Sequence, residues 1–348
     1  MERKLKVAHV IRVFSYGGAE VLLRECFSHP YFKEHVDSDL YILDHKKLGL
    51  VPEVKPNVNS IHNYKITTWK FFIAYAKFLR HIIRDKYDVV HMHLPVAGWM
   101  TIPAKLFNRK TKFIYSEHNL VTFYAKYNYY LSGLTYGFFD CIIPVSHEVS
   151  EVIKQSGKGM FFKTKKSATI LNGINTDKFS NAHRNTENVN ENFTVGLVAR
   201  FRPQKRVDKW VEVAAAVNKI NELNMQGKIE LPGMLSDTVA AYKRIDIFLL
   251  TSDFEGLPLA LMEAMSTGCV PVVSNVGGIK QLPFDGFGYK FDEFNAGEIA
   301  KVIVEYASDK EQFKNESLKA RAFVEANYSL TKQVHEIVDL YKEILNEK

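Results

Sequence analysis

Twice along this chain short β-rich runs alternate with helical patterns, and a polar stretch separates the two series. The first series has β-rich runs at 6–14, 38–43, 88–94, 112–117, 141–145 and 167–171, with helical patterns at 19–27, 68–84 and 146–155 lying between several of them. Strands that alternate with helices pair in parallel, because a parallel neighbour needs a crossover of a dozen or more residues and a helix supplies it. Residues 181–192, rich in Asn and without periodicity, read as a linker. A second series follows, with strands expected at 193–199, 228–231, 247–251 and 270–274 and helices at 206–220, 236–245 and 257–267. From 296 onward the pattern is helical. The expectation is an α/β chain of two Rossmann-like domains, 1–180 and 193–330, with a last helical segment at 331–348.

A length of 348 residues accommodates two such domains. No run approaches the roughly 18 apolar residues of a membrane span, and Met-Glu-Arg-Lys-Leu-Lys-Val lacks the apolar core of a secretion signal. Cys26, Cys141 and Cys269 are odd in number and lack metal spacing, which points to free thiols in a reducing cytoplasm. Charge is uneven. Residues 1–180 hold 26 Lys and Arg against 15 Asp and Glu, while 181–348 hold 20 against 24. The first half is thus expected to meet something anionic, such as a membrane surface or a phosphate-bearing acceptor. No nucleic-acid-binding motif accompanies the charge, so nucleic acid is not expected as a partner.

The densest chemical signal is Ser252-Asp-Phe-Glu-Gly-Leu-Pro-Leu-Ala-Leu-Met-Glu-Ala-Met265. A buried-type strand runs into a loop carrying Glu255, Gly256 and Leu257, and a helix then carries Glu263. Open parallel sheets bind ligands at the carboxyl ends of their strands. A helix N-terminus there presents backbone N–H groups to anions and hydroxyls. Arg200 and Lys205 follow the strand at 194–199 and lead into another helix, a placement suited to negative charge on a diphosphate. Gly17 and Gly18 follow the first strand and open a helix, leaving bare backbone for a phosphate or sugar. They do not fit the G-x-G-x-x-G dinucleotide fingerprint.

The glutamate-x7-glutamate spacing of Glu255 and Glu263, the Gly-Leu-Pro after the first and Gly-Cys-Val-Pro-Val-Val-Ser after the helix resemble the signature of family 4 retaining glycosyltransferases. The resemblance implies the GT-B fold: two Rossmann-like domains facing across a cleft, with the last helix, near 334–345, crossing back onto the first domain. It implies a sugar moved from a nucleotide-diphosphate donor, most often UDP-linked, to a glycan or lipid-linked acceptor in bacterial surface polysaccharide synthesis. Arg200, Lys205, Gly17 and Gly18 would then contact the donor diphosphate. Gly256, Leu257 and Glu263 would hold sugar and ribose, and Glu255 and His118 would work at the transferred sugar. Retention, by front-face substitution, belongs to the same implication. No cofactor or metal is expected.

Other residues are weighed the same way. His91 and His93 share a strand face but show no third ligand, so a structural role is expected. Asp37-Ser-Asp39 has the form of a metal motif but is expected at the surface. Lys70, Lys77, His81 and Arg84 stripe one helix, which could lie peripherally on the inner face of the plasma membrane. Departures from the family pattern are Ala199 and Arg206 where Gly is usual, Asn175 where Asp is usual, and one strand-helix unit missing near 222–228. That gap motivates an alternative, a nucleotide-sugar-binding pseudoenzyme; a GT-B sugar-nucleotide epimerase fits less well.

Overall fold

The computed structural model describes residues 3–44, 48–66, 71–156, 163–180, 193–220, 230–233, 235 and 237–347. The proposed linker at 181–192, Lys70 and the segment 221–229 lie outside them. The chain divides into two compact units, Met1–Gly173 with Leu330–Lys348, and Ile174–Ser329.

The first unit runs β1 (Leu5–Ile11), α1 (Gly18–Ser28), α2 (Pro30–His35), β2 (Val36–Ile42), α3 (Val51–Val54), β3 (Ser60–Asn63) and α4 (Phe71–Arg84). It continues with β4 (Val89–His93), α5 (Pro95–Phe107), β5 (Lys112–Glu117), α6 (Lys126–Thr135), β6 (Cys141–Pro144) and α7 (His147–Ser156). The six strands form one parallel sheet in the order β3-β2-β1-β4-β5-β6. Strand order reverses beside β1, and the crevice at the carboxyl ends of β1 and β4 is where such sheets bind ligands. The central strands are buried on both faces, as their apolar runs require.

The second unit comprises β7 (Val195–Gly196), α8 (Val207–Ile220), α9 (Thr238–Lys243), β8 (Ile247–Leu250), α10 (Leu259–Ser266), β9 (Val270–Ser274), β10 (Tyr289–Phe291), α11 (Ala296–Ser308) and α12 (Lys310–Asn327). Its parallel sheet has the order β10-β9-β8-β7. Val213 of α8 and Ile299 and Ile303 of α11 pack with Ile247, Leu249, Val270 and Val272 of the strands to make its core. Then α13 (Leu330–Asn346) returns to the first unit, where Val334, Val338, Tyr341 and Ile344 join the core with Val7, Ile11, Phe27 and Ile114.

Three sequence expectations need correction. Glu230 and Leu231 are coil and exposed rather than strand, since neither has an apolar surface to pack against; residues 228–229 lie outside the described set. Among the described residues nothing pairs with the outer edge of β7, which is only two residues long. Residues 167–171 form one isolated bridge, Ser167 to Ile142, rather than a strand, though Ala168 and Ile170 N–H donate to Ile142 O and Pro144 O of β6. Asp39 is buried, not superficial: its carboxylate accepts from Ser60 Oγ at 2.6 Å and Tyr87 Oη at 2.8 Å. β3 escaped the sequence reading because Ser-Ile-His-Asn has little strand character of its own and forms by pairing with β2.

Candidate functional site

In the second unit, three loops converge at the carboxyl ends of β7, β8 and β9. The loop after β7 carries Arg200 and, in a single tight turn at Pro203–Lys205, Lys205. The loop after β8 carries Ser252 to Leu257, and the turn Gly277–Gln281 follows β9. Backbone bonds tie them together: Asp253 N–H donates to Gln204 O at 3.0 Å, and Gly278 N–H to Glu255 O at 3.1 Å. Ser274 Oγ donates to Ser252 O at 2.7 Å. Gly278 is required by contact, because a Cβ there would sit 2.6 Å from Gly256 O.

This scaffold brings Lys205 Nζ to 2.5 Å from Glu255 Oε1, and Ser252 Oγ donates to the same oxygen at 2.6 Å. Both charged side chains are largely enclosed, at 14% and 7% exposure. Attraction between them therefore has to offset substantial desolvation of each. Next comes α10, which opens at Pro258 without a side-chain cap, so its first N–H groups and positive dipole end are available to a ligand. Glu263, the fifth residue of α10, is half-buried, and its Oε2 accepts from Tyr242 Oη at 2.8 Å. The helix stops at Gly268, with φ +85°, where Cys269 N–H bonds Ala264 O and Gly268 N–H bonds Met265 O. This is the left-handed termination that glycine favours.

The departures from the family pattern have physical counterparts. Arg206 has φ +45° and ψ 54°, a left-handed conformation that explains why glycine is usual there. Its guanidinium pairs with Asp208 at 2.7 Å and Asp253 at 3.1 Å. Ala199 is not among the positive-φ residues, so a Cβ is tolerated there. Asn175 Oδ1 accepts from Lys178 N–H at 2.9 Å, a bond an aspartate would also make.

The first unit carries the remaining candidates. Gly17 caps α1 at the end of β1, and Gly18 is its first residue. The space beside Gly17 is filled by the carboxylate of Glu20, which turns back over the helix start. An incoming phosphate would have to displace that like charge. His118 follows β5, and its Nε2 lies 3.4 Å from His93 Nδ1. Partly buried and densely surrounded, its imidazole is pushed down to about 4 by desolvation, so it is neutral at pH 7. Beside it, Glu117 is fully buried among phenols: Tyr115 Oη donates at 3.0 Å, Tyr124 and Tyr136 donate as well, and Asn119 N–H adds a fourth bond at 3.2 Å. Desolvation nonetheless raises the carboxyl above its ordinary value.

The sequence reading missed His9, which supplies the third histidine beside His91 and His93. All three are buried, and burial followed by neighbouring histidines lowers each well below the usual range. The period-two alternation of His91 and His93 marked one face; only the register of β1 against β4 adds His9 to it. Ser252, Tyr242 and Gly278 were likewise missed, since only the folded loops bring them to the two glutamates.

Glycosyltransferase Family 4 is matched by residues 16–178, and Glycosyl transferases group 1 by residues 216–323. The chain is 24% identical to the Escherichia coli UDP-Gal:alpha-D-GlcNAc-diphosphoundecaprenol alpha-1,3-galactosyltransferase, across 99% of this chain and 98% of that protein. It is 23% identical to the Staphylococcus aureus capsular polysaccharide biosynthesis glycosyltransferase CapH, across 78% and 82% of the two. The Anabaena protein HepE, solved with UDP, superimposes with a TM-score of 0.79 at 17% identity, over 97% of this chain and all of HepE. These relatives are transferases or share the transferase fold, and nothing in them favours a binding-only protein. Two parallel α/β units, the acidic and basic residues at the strand ends of the second, and sequence matches spanning both place the chain in the family 4 glycosyltransferases of the GT-B fold.

Proposed function

We propose that this glycosyltransferase moves a sugar, with retention, from a UDP-linked donor to a lipid-linked glycan acceptor in bacterial surface polysaccharide synthesis. The observation that carries the donor assignment is the Lys205–Glu255 pair, held at the carboxyl ends of the second sheet beside the open start of α10. As the donor binds, Lys205 turns from Glu255 to the diphosphate, and with Arg200 it stabilises the charge that develops on the leaving group. Those cations fill the role a divalent metal fills elsewhere, so the transfer is proposed to run without a cofactor. Glu255, with Gly256 and Leu257, contacts the sugar hydroxyls, and Glu263 the ribose. Gly17, Gly18 and His118 act from the first unit, with neutral His118 as a hydrogen-bond partner of the transferred sugar. The UDP preference rests on the donors named for the E. coli relative and bound in HepE.

The acceptor side points to a membrane surface. No helix among the described residues is long and apolar enough to cross a bilayer. Yet α4 exposes Phe72 and Ile73 near its start at 81% and 71%, followed by Lys77, Arg80 and Arg84. Alongside it, α5 exposes Leu106 and Phe107 toward the far end of α4, where Asn108 Nδ2 donates to Ile82 O. Residues 54–84 contain six Lys or Arg and no Asp or Glu. Apolar tips backed by cations suit an anionic leaflet, each surface cation contributing about 1 kcal/mol. The protein is therefore proposed to work peripherally at the cytoplasmic face of the plasma membrane. The test is UDP release from a panel of UDP-sugars, with and without polyprenyl-diphosphate-linked acceptor. Acceptor-dependent release that Glu255→Ala abolishes is expected. No release from any donor, or wild-type rates in Glu255→Ala, refutes the assignment. Vesicle flotation unchanged by Phe72→Glu with Ile73→Glu refutes the membrane part alone.

A further inference from the structure

We infer that His9, His91 and His93 form a binding site for a divalent transition-metal ion of the zinc type, separate from the donor-binding residues of the second unit. One ring nitrogen from each lies within 4.8 Å of the others, and all three rings are buried. The sheet builds the cluster: β1 and β4 are adjacent, His9 pairs in register with His91, and His93 lies two residues on along the same face.

Three details favour an ion over a set of hydrogen bonds. First, His9 Nδ1 and His93 Nε2 stand 3.4 Å apart, long for a hydrogen bond. It is close to the edge of about 3.3 Å expected of a tetrahedron with metal–nitrogen bonds of about 2.0–2.1 Å. Second, His9 Nε2 is buried without a hydrogen-bond partner and Nδ1 has only the long contact to His93, so no firm hydrogen bond fixes the ring and one of its two nitrogens is left to an ion. Third, a cavity of about 30 Å³ is lined by the three rings with His118, Ser116 and Tyr341. That is room for an ion and a water. An all-imidazole donor set suits zinc, nickel or copper and disfavours magnesium and calcium.

Outer partners are also in place. His91 Nδ1 lies 2.5 Å from Tyr341 Oη, and its Nε2 lies 2.7 Å from Ser116 Oγ. One of these bonds yields when His91 ligates, and the other orients the ring. The ion would tie β1 to β4 and, through Tyr341, to α13, while His93 Nδ1 faces His118.

The test uses the full chain, saturated with zinc chloride, passed into metal-free buffer and analysed for metal by mass spectrometry. About one zinc per chain is expected, with an X-ray absorption edge fitted by three imidazole nitrogens. His9→Phe, whose new ring would pack between Phe27 and Phe32, should lower zinc affinity by at least about 100-fold, the upper end of what losing an outer-shell partner costs. His118→Gln should still bind about one. Less than about a tenth of a zinc per wild-type chain overturns the inference. So does an oxygen-only shell, a reading that holds even where His9→Phe fails to fold. Transfer activity is not the readout, so failure here is distinct from failure of the proposed function.

Discussion

Removing Lys205 is expected to unbalance the second unit before it affects chemistry. In Lys205→Met, Glu255 stays enclosed at 7% exposure with Ser252 Oγ as its one remaining side-chain donor among the described residues. Breaking a buried pair in this way costs about 3–5 kcal/mol, because the surviving charge is left uncompensated. For a unit of this size, that corresponds to a fall in Tm of roughly 6–20 °C. Glu255→Leu should cost less, since the lysine stem is long enough to carry its ammonium to water. The double variant Lys205→Met with Glu255→Leu removes both charges and should recover most of the loss, while remaining inactive. Scanning calorimetry of the four proteins closes the cycle, and transfer assays run below every melting point separate folding from catalysis. A Lys205→Met melt within about 1 °C of wild type, or a double variant as unstable as the two singles added, would refute the reasoning.

Other consequences are as direct. Arg206→Gly and Arg206→Val both lose the pairs with Asp208 and Asp253, but only glycine fits φ +45° without strain, so the valine variant should melt lower; equal melts would remove the backbone explanation. Gly278→Ala forces a Cβ to 2.6 Å from Gly256 O and should cost about 1–3 kcal/mol by overpacking, with KM for the donor raised as the Glu255 loop shifts. An unchanged KM and melt would show the loop has slack. Tyr136→Phe takes one donor from buried Glu117 and should lower unfolding free energy by about 1–3 kcal/mol in urea titration, whereas exposed Tyr127→Phe should not.

Much of this was legible in the sequence, for identifiable reasons. Parallel α/β order follows from alternation, and every strand with a strong apolar run was found. β3 and β10 were not, because four and three residues carry too little pattern and exist only by pairing. The Glu255–Glu263 spacing located the site, since strand, loop and helix there are contiguous in sequence. Lys205 was legible by its place after a strand, but its partner, fifty residues on, was not. His9 shows the general limit: parity along one strand is readable, while register between strands is a tertiary fact.

The return of α13 to the first unit bears on how the protein is made. Val334, Val338 and Tyr341 complete a core whose other members are translated far earlier, at Val7, Ile11 and Phe27. The amino-terminal lobe must therefore wait, unfinished, while all of residues 174–329 leave the ribosome. A chain cut short before Leu330 would carry its defect at the opposite end of the sequence, as an exposed apolar seam on the lobe that was synthesised first.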